Sequence, residues 1–115
     1  MNLSLITPVY NEQDNLPFLF ESIYKVMNSL DQLWEVILVD DGSRDNSLSV
    51  LKEYAKKDPE HIRVISFRRN FGQTAAIAAG LDYAQGNTIV LLDADMQNDP
   101  ADIPMMLAKL DEGYD

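Results

Sequence analysis

Short apolar runs alternate with longer stretches in which apolar residues recur at every third or fourth position, and the alternation repeats four times along the chain. Leu3 to Val9 is a first apolar run, carrying Pro8 near its end, and Tyr10-Asn11-Glu12 forms a polar exit. Asn15 then predicts a helix cap, with Pro17 in the first turn and Leu16, Leu19, Phe20, Ile23, Met27 and Leu30 at helical spacing on one face. Trp34 to Val39 predicts a second strand, emptying into Asp40-Asp41-Gly42-Ser43. A second helix starts at about Asn46, with Leu48, Leu51, Tyr54 and Ala55 inward, and stops at Asp58-Pro59. The third strand, Arg63 to Phe67, alternates more cleanly than the others, which fits an edge or half-exposed position. After the basic loop Arg68-Arg69-Asn70-Phe71-Gly72, the small residues of Thr74 to Leu81 predict a helix lying close on the sheet, terminated by Gly86. Ile89-Val90-Leu91-Leu92 predicts a strand buried on both faces, and Ile103, Met106, Leu107 and Leu110 predict a last helix ending near Gly113.

Four strand and helix alternations imply an α/β fold with a parallel sheet and right-handed crossovers. The 115 residues suffice for one domain with a real core. A formal net charge of -10 excludes a phosphate-tracking nucleic-acid binder, which needs clustered Lys and Arg. The absence of cysteine excludes disulfides and thiolate metal sites. No run is long enough to span a membrane, and the opening residues are expected to form a strand rather than a leader peptide.

The chemistry collects where parallel strands all end. Glu12, Asp40, Asp41, Asp93, Asp95 and Asp99 follow strands one, two and four, whose carboxyl ends share one rim, the usual ligand edge of such a sheet. Like charges at ~5 Å repel by roughly 3 kcal/mol at an effective dielectric near 20, and a bound cation relieves this. Oxygen ligands without His or Cys favour Mg²⁺ or Mn²⁺ over zinc. Each piece also has a plainer account: Asp40-Asp41-Gly42-Ser43 as a turn into a helix, Arg68-Arg69 as a solvated pair, and His61 as a structural or surface residue.

In combination, Ile6-Thr7-Pro8-Val9-Tyr10-Asn11-Glu12, Val36 to Ser43, Arg69-Asn70-Phe71-Gly72 and Leu91-Leu92-Asp93-Ala94-Asp95-Met96-Gln97 resemble the nucleotide-binding half of family-two glycosyltransferases, nearest to the polyprenyl-phosphate sugar transferases. The resemblance implies a three-layer, Rossmann-like nucleotide-diphospho-sugar transferase fold, mainly parallel, with residues 1–115 as its N-terminal nucleotide-sugar-binding part. It implies strand order 3-2-1-4 with a crevice between strands one and four. The implied activity is metal-dependent, inverting transfer from a UDP- or GDP-sugar donor to a polyprenyl-phosphate acceptor. Pro8, Tyr10 and Glu12 would line the base and ribose pocket, Val39 and Asp41 would hold the base, and Asp93, Ala94 and Asp95 would contact the nucleotide. Asp95 and Gln97, with Asp93, would hold Mg²⁺ or Mn²⁺ on the diphosphate, and Arg69 would add positive potential. Two positions depart from the family pattern: Gln73 stands where many relatives carry Lys, and Asn98-Asp99-Pro100 carries an extra polar residue after Gln97.

The same resemblance implies a membrane-anchored parent working on the cytoplasmic side, with this fragment soluble and inactive alone; truncation of the sheet adds the expectation that an open edge lets the fragment self-associate. Three rivals share part of the pattern. A phospho-accepting receiver domain also has an acid pair around Mg²⁺, but here the pair follows the second strand and Lys109 falls in a helix. A haloacid-dehalogenase-type phosphatase shares the D-x-D after an apolar strand, with too little chain downstream. A non-catalytic sugar-nucleotide-binding module would keep the fold without turnover.

Overall fold

The computed structural model describes residues 2–94 of the chain. The elements run β1 (Leu3–Val9), α1 (Leu16–Met27), β2 (Trp34–Asp40), α2 (Ser47–Lys57), β3 (Ile62–Ser66), α3 (Gln73–Tyr83) and β4 (Thr88–Leu91). All strands are parallel, in the order β3-β2-β1-β4. The last helix expected from Ile103 to Leu110 lies outside the described residues.

The topology dictates the layers. From β1 through β3 the chain steps one way across the sheet, so right-handed crossovers put α1 and α2 on one face; the return from β3 to β4 puts α3 on the other. The larger core joins Leu5, Val9, Val36 and Leu38 of the sheet to Leu16, Leu19, Phe20, Ile23 and Met27 of α1 and Leu51 of α2. Each fully buried aliphatic or aromatic side chain contributes about 1.5–3 kcal/mol, so α1 is held chiefly by its inner face. Phe20 also stacks on Tyr54 of α2, ring centroids 3.8 Å apart. Under α3 the core is smaller, Ile37, Val39 and Ala76, and Gly80 lies directly over Ile6.

Four expectations need correction. β4 is not buried on both faces: Ile89 is 37% and Leu91 46% exposed, because among the described residues the strand pairs with β1 alone and α3 packs over β1 and β2 instead. Gly86 does not terminate α3, which ends at Tyr83 with an extended Ala84; a Cβ at Gly86 would lie 2.6 Å from Ser4 Oγ, so the position serves close approach to β1. On α2, Val50 packs against the core together with Tyr54 and Ala55, whereas Leu48 does not join it. Asn15 and Asn46 do precede helices, but neither side chain bonds a helix N–H; the Asn15 amide donates to Glu12 Oε2 at 2.6 Å. Among the described residues β3 lies at the edge of the sheet, as expected, with three of its five residues half-buried.

Candidate functional site

Pro8 sets where the site opens. The Ile6 carbonyl accepts from Leu92 N–H on the β4 side, and the Val9 carbonyl accepts from Asp41 N–H on the β2 side. Successive residues alternate sides, so the next rung towards β4 would need an N–H at position 8, which proline lacks. The β1–β4 ladder accordingly ends at the Ile6–Leu91 pair. Beyond it the strands part at the switch point of the sheet, where strand order reverses and open α/β folds bind ligands.

Into this gap opens a crevice of about 160 Å³ lined by Pro8, Val9, Tyr10, Glu12, Asp41, Gln73, Asp93 and Ala94. Six positions singled out from the sequence thus meet in one place: Pro8, Tyr10, Glu12, Asp41, Asp93 and Ala94. Val39, the strand partner of Pro8, is not part of that lining and is fully buried with Ile37 and Ala76 under α3. Asp95 and Gln97 fall outside the described residues. Arg69 does not line the crevice; its guanidinium lies 4.6 Å from the centroid of the exposed Phe71 ring. Sequence reasoning assigned no role to Val9 or Gln73, and the N-terminal position of Gln73 on α3 carries its side chain to the crevice.

The rim is built from loops that brace one another. Asn11 adopts a left-handed backbone, φ 53°, one of the few conformations that asparagine tolerates better than most residues. Its N–H donates to Ser43 Oγ (2.9 Å), and its side-chain oxygen accepts from Arg44 N–H (2.8 Å). Next to it, Glu12 N–H donates to the buried Ser47 Oγ (2.9 Å), and Gln13 Oε1 accepts from Asn46 N–H (2.8 Å). The exits of β1 and β2 are therefore tied to each other. Burial pushes the Asp45 carboxyl up, but the Ser47 hydroxyl and N–H and the Gln13 N–H outweigh it and hold the group below its usual range.

Asp41, 4% exposed, ties a third loop to these two. Its carboxylate accepts from Phe71 N–H (2.7 Å) through one oxygen and from Gly72 N–H (3.0 Å) through the other. Its carbonyl accepts from Asn70 Nδ2 at 3.3 Å. Charge-assisted bonds of this kind are about twice as strong as neutral ones, so the basic loop and the start of α3 are pinned beside the crevice. Asp40, by contrast, faces into the core layer and not onto the rim, correcting the expectation that both acids of the pair face the ligand edge.

Glu12, Asp41 and Asp93 bring three carboxylates to the lining of one cavity, with Tyr10 and Gln73 as hydroxyl and amide. Such a lining offers oxygen atoms to a cation and to the N–H and O–H groups of a ligand. Among the described residues, no three acidic or imidazole side chains are grouped closely enough to hold a metal ion by themselves.

The family described as Glycosyl transferase family 2 matches residues 4–115. The undecaprenyl-phosphate 4-deoxy-4-formamido-L-arabinose transferase of Proteus mirabilis is 47% identical over 113 residues, 98% of this chain and 35% of that protein. The chain thus spans about a third of the length of the curated relatives it matches. Among solved structures, S. aureus TarS 1-349 in complex with UDP-GlcNAc superposes with a TM-score of 0.78 at 26% identity, covering 97% of this chain and 32% of that one. The mannosyltransferase PcManGT of Pyrobaculum calidifontis, in complex with GDP-Man and Mn²⁺, gives 0.72 at 26% identity over 82% of this chain and 27% of its own.

Proposed function

The chain belongs to glycosyl transferase family 2, and from that premise we propose that the protein moves a sugar from a nucleoside-diphosphate donor to a polyprenyl phosphate, with residues 1–115 forming the N-terminal donor-binding part. The observation that carries the reading is the crevice itself: it opens at the switch point and gathers Pro8, Tyr10, Glu12, Asp41, Asp93 and Ala94. UDP-GlcNAc and GDP-Man in the neighbouring structures support the donor class, and the Proteus mirabilis relative supports the lipid-phosphate acceptor.

The work then divides among the residues. Pro8 keeps β4 from closing on β1, leaving a slot against whose walls a base and ribose can lie. Asp41, fixed by Phe71 and Gly72, presents spare lone pairs to N–H groups of the base. Tyr10 and Glu12 border the ribose, and Asp93 and Ala94 stand at the end of β4 towards the diphosphate. The oxygen-only donor set fits a hard divalent cation, which Asp93 would hold together with Asp95 and Gln97. When bound, Mg²⁺ or Mn²⁺ neutralises charge that builds on the departing diphosphate. In the inverting transfer proposed, an acceptor phosphate oxygen bonds to the anomeric carbon as its bond to the diphosphate breaks, the electron pair leaving with the diphosphate. The reading sets the reaction at the cytoplasmic face of a membrane, where both substrates meet. No described helix is long and apolar enough to cross one.

The receiver-domain rival loses ground on the geometry. A receiver-type Mg²⁺ site needs an open acid pair, whereas Asp40 is turned inward and Asp41 alone of the two lines the crevice. The test is calorimetry and thermal unfolding of the intact protein with UDP- and GDP-sugars, with and without Mn²⁺. One of them at a hundredfold excess over Kd adds about 2.7 kcal/mol of stability, and Asp93→Ala or Asp95→Ala removes the metal-dependent share. No response to either nucleotide sugar overturns the proposal. Binding without transfer to a polyprenyl phosphate reduces it to a non-catalytic donor-binding module.

A further inference from the structure

Beneath the crevice, on the face covered by α1 and α2, two buried oxygen atoms lack partners among the described residues: Thr7 Oγ1 and Asp40 Oδ1. Thr7 is fully buried and Asp40 is 2% exposed. Both point to the same side. Thr7 lies between Leu5 and Val9 in β1, and Asp40 lies two residues after Leu38 in β2, and all three neighbours belong to the α1-side core. The register pairs Thr7 with Leu38 and Val9 with Asp40, which makes Thr7 and Asp40 diagonal neighbours on adjacent central strands.

Their chemistry is complementary. A threonine hydroxyl carries a proton to donate, and an ionised carboxylate only accepts. Folded proteins rarely leave either unsatisfied in a dry layer, and here one of each stands a single rung apart. No direct hydrogen bond joins them. Side chains on diagonal positions of adjacent strands start about 7–8 Å apart, and a gap of that order between a buried donor and a buried acceptor is one that a single water can complete.

The other Asp40 oxygen accepts from Ser43 N–H at 3.4 Å, a long bond that closes the turn Asp40-Asp41-Gly42-Ser43. From this turn Asp41 reaches Phe71 and Gly72. We propose that Thr7 and Asp40 are coupled positioning residues: one water between the Thr7 hydroxyl and the Asp40 carboxylate anchors Asp40, and through the turn it fixes the aim of Asp41 into the crevice. The consequence for the donor rests on the proposed function above; the coupling itself does not.

The test is a double-mutant cycle in the intact protein with Thr7→Val, Asp40→Asn and their combination, and Thr7→Ser as the conservative control. Valine keeps the shape of threonine and removes only the hydroxyl. The pair predicts that Thr7→Val lowers Tm by about 4 °C, as loss of one buried hydrogen-bonded link does in a domain of this size, while Thr7→Ser stays near wild type. Asp40→Asn costs clearly less in the Thr7→Val background than alone. Donor KM rises on the order of tenfold in Thr7→Val, the equivalent of a coupling of about 1.4 kcal/mol, with kcat little changed. A Tm equal to or above wild type for Thr7→Val, or strictly additive losses, overturns the pair. Should Asp40→Asn fail to fold, Thr7→Val against Thr7→Ser decides alone. Non-additive stability without any nucleotide binding upholds the pair and sinks the donor reading; tight nucleotide binding with additive stability does the reverse.

Discussion

At Gly42 the backbone turns with φ at 70°, and a Cβ there would lie 2.5 Å from the Asn70 nitrogen. Strain and collision act together, because the loop it would strike is the one that Asp41 holds. Gly42→Ala should therefore cost about 2–4 kcal/mol in urea unfolding, more than the 1–3 kcal/mol usual for a strained backbone position alone. Donor affinity should fall with it. The sequence Asp40-Asp41-Gly42-Ser43 announces a turn with acids after an apolar strand, and that much is legible in the residues alone. What it conceals is the division between the two acids. Strand alternation sends Asp40 inward and Asp41 outward, but the partners of Asp41 come from Phe71 and Gly72, thirty residues away. Asn11 is hidden for the same reason: its left-handed turn matters because Ser43 and Arg44 lie across from it.

At the scale of elements, the helices are legible and their fastenings are not. The spacing of Leu16, Leu19, Phe20, Ile23 and Met27 marks the inner face of α1 by periodicity alone. It does not disclose that Tyr24 donates its hydroxyl proton to Asp58 at the end of α2, at 2.7 Å. Burial and the Asp58 carboxylate raise the Tyr24 phenol well above its ordinary 10.0. A raised folded value means that this stabilisation is whole below about pH 10 and disappears as pH climbs through the folded value. Tyr24→Phe should lose about 1 kcal/mol at neutral pH and show a flatter alkaline limb in thermal unfolding against pH. β4 illustrates the opposite limit of pattern reading. Four apolar residues in a row do not say which of their side chains will be covered, and among the described residues Ile89 and Leu91 stay exposed.

Across the whole molecule, one buried carboxylate fastens most of the sheet. Glu35, 1% exposed on β2, accepts from Ser4 Oγ of β1 at 2.6 Å and from Gln85 N–H before β4 at 2.7 Å, and pairs with Arg63 of β3 at 3.4 Å. Burial pushes its carboxyl up, yet Ser4, Gln85 and Arg63 together bring it below the ordinary 4.5. A lowered folded value gives stability that is complete above the unfolded value and is lost as pH falls through the folded one. Thermal unfolding should therefore weaken below about pH 4.5, and Glu35→Gln should shrink that acid limb while lowering stability at pH 7. The order β3-β2-β1-β4 carries a further consequence, for biosynthesis. The first strand made ends beside the last one described, and the bond from Gly86 N–H to Ser4 Oγ spans 82 residues. While the ribosome works through that interval, on the order of 4–16 s at 5–20 residues per second, the outer flank of the nascent N-terminal strand stays uncapped. A chaperone that shields newborn chains would find its moment there.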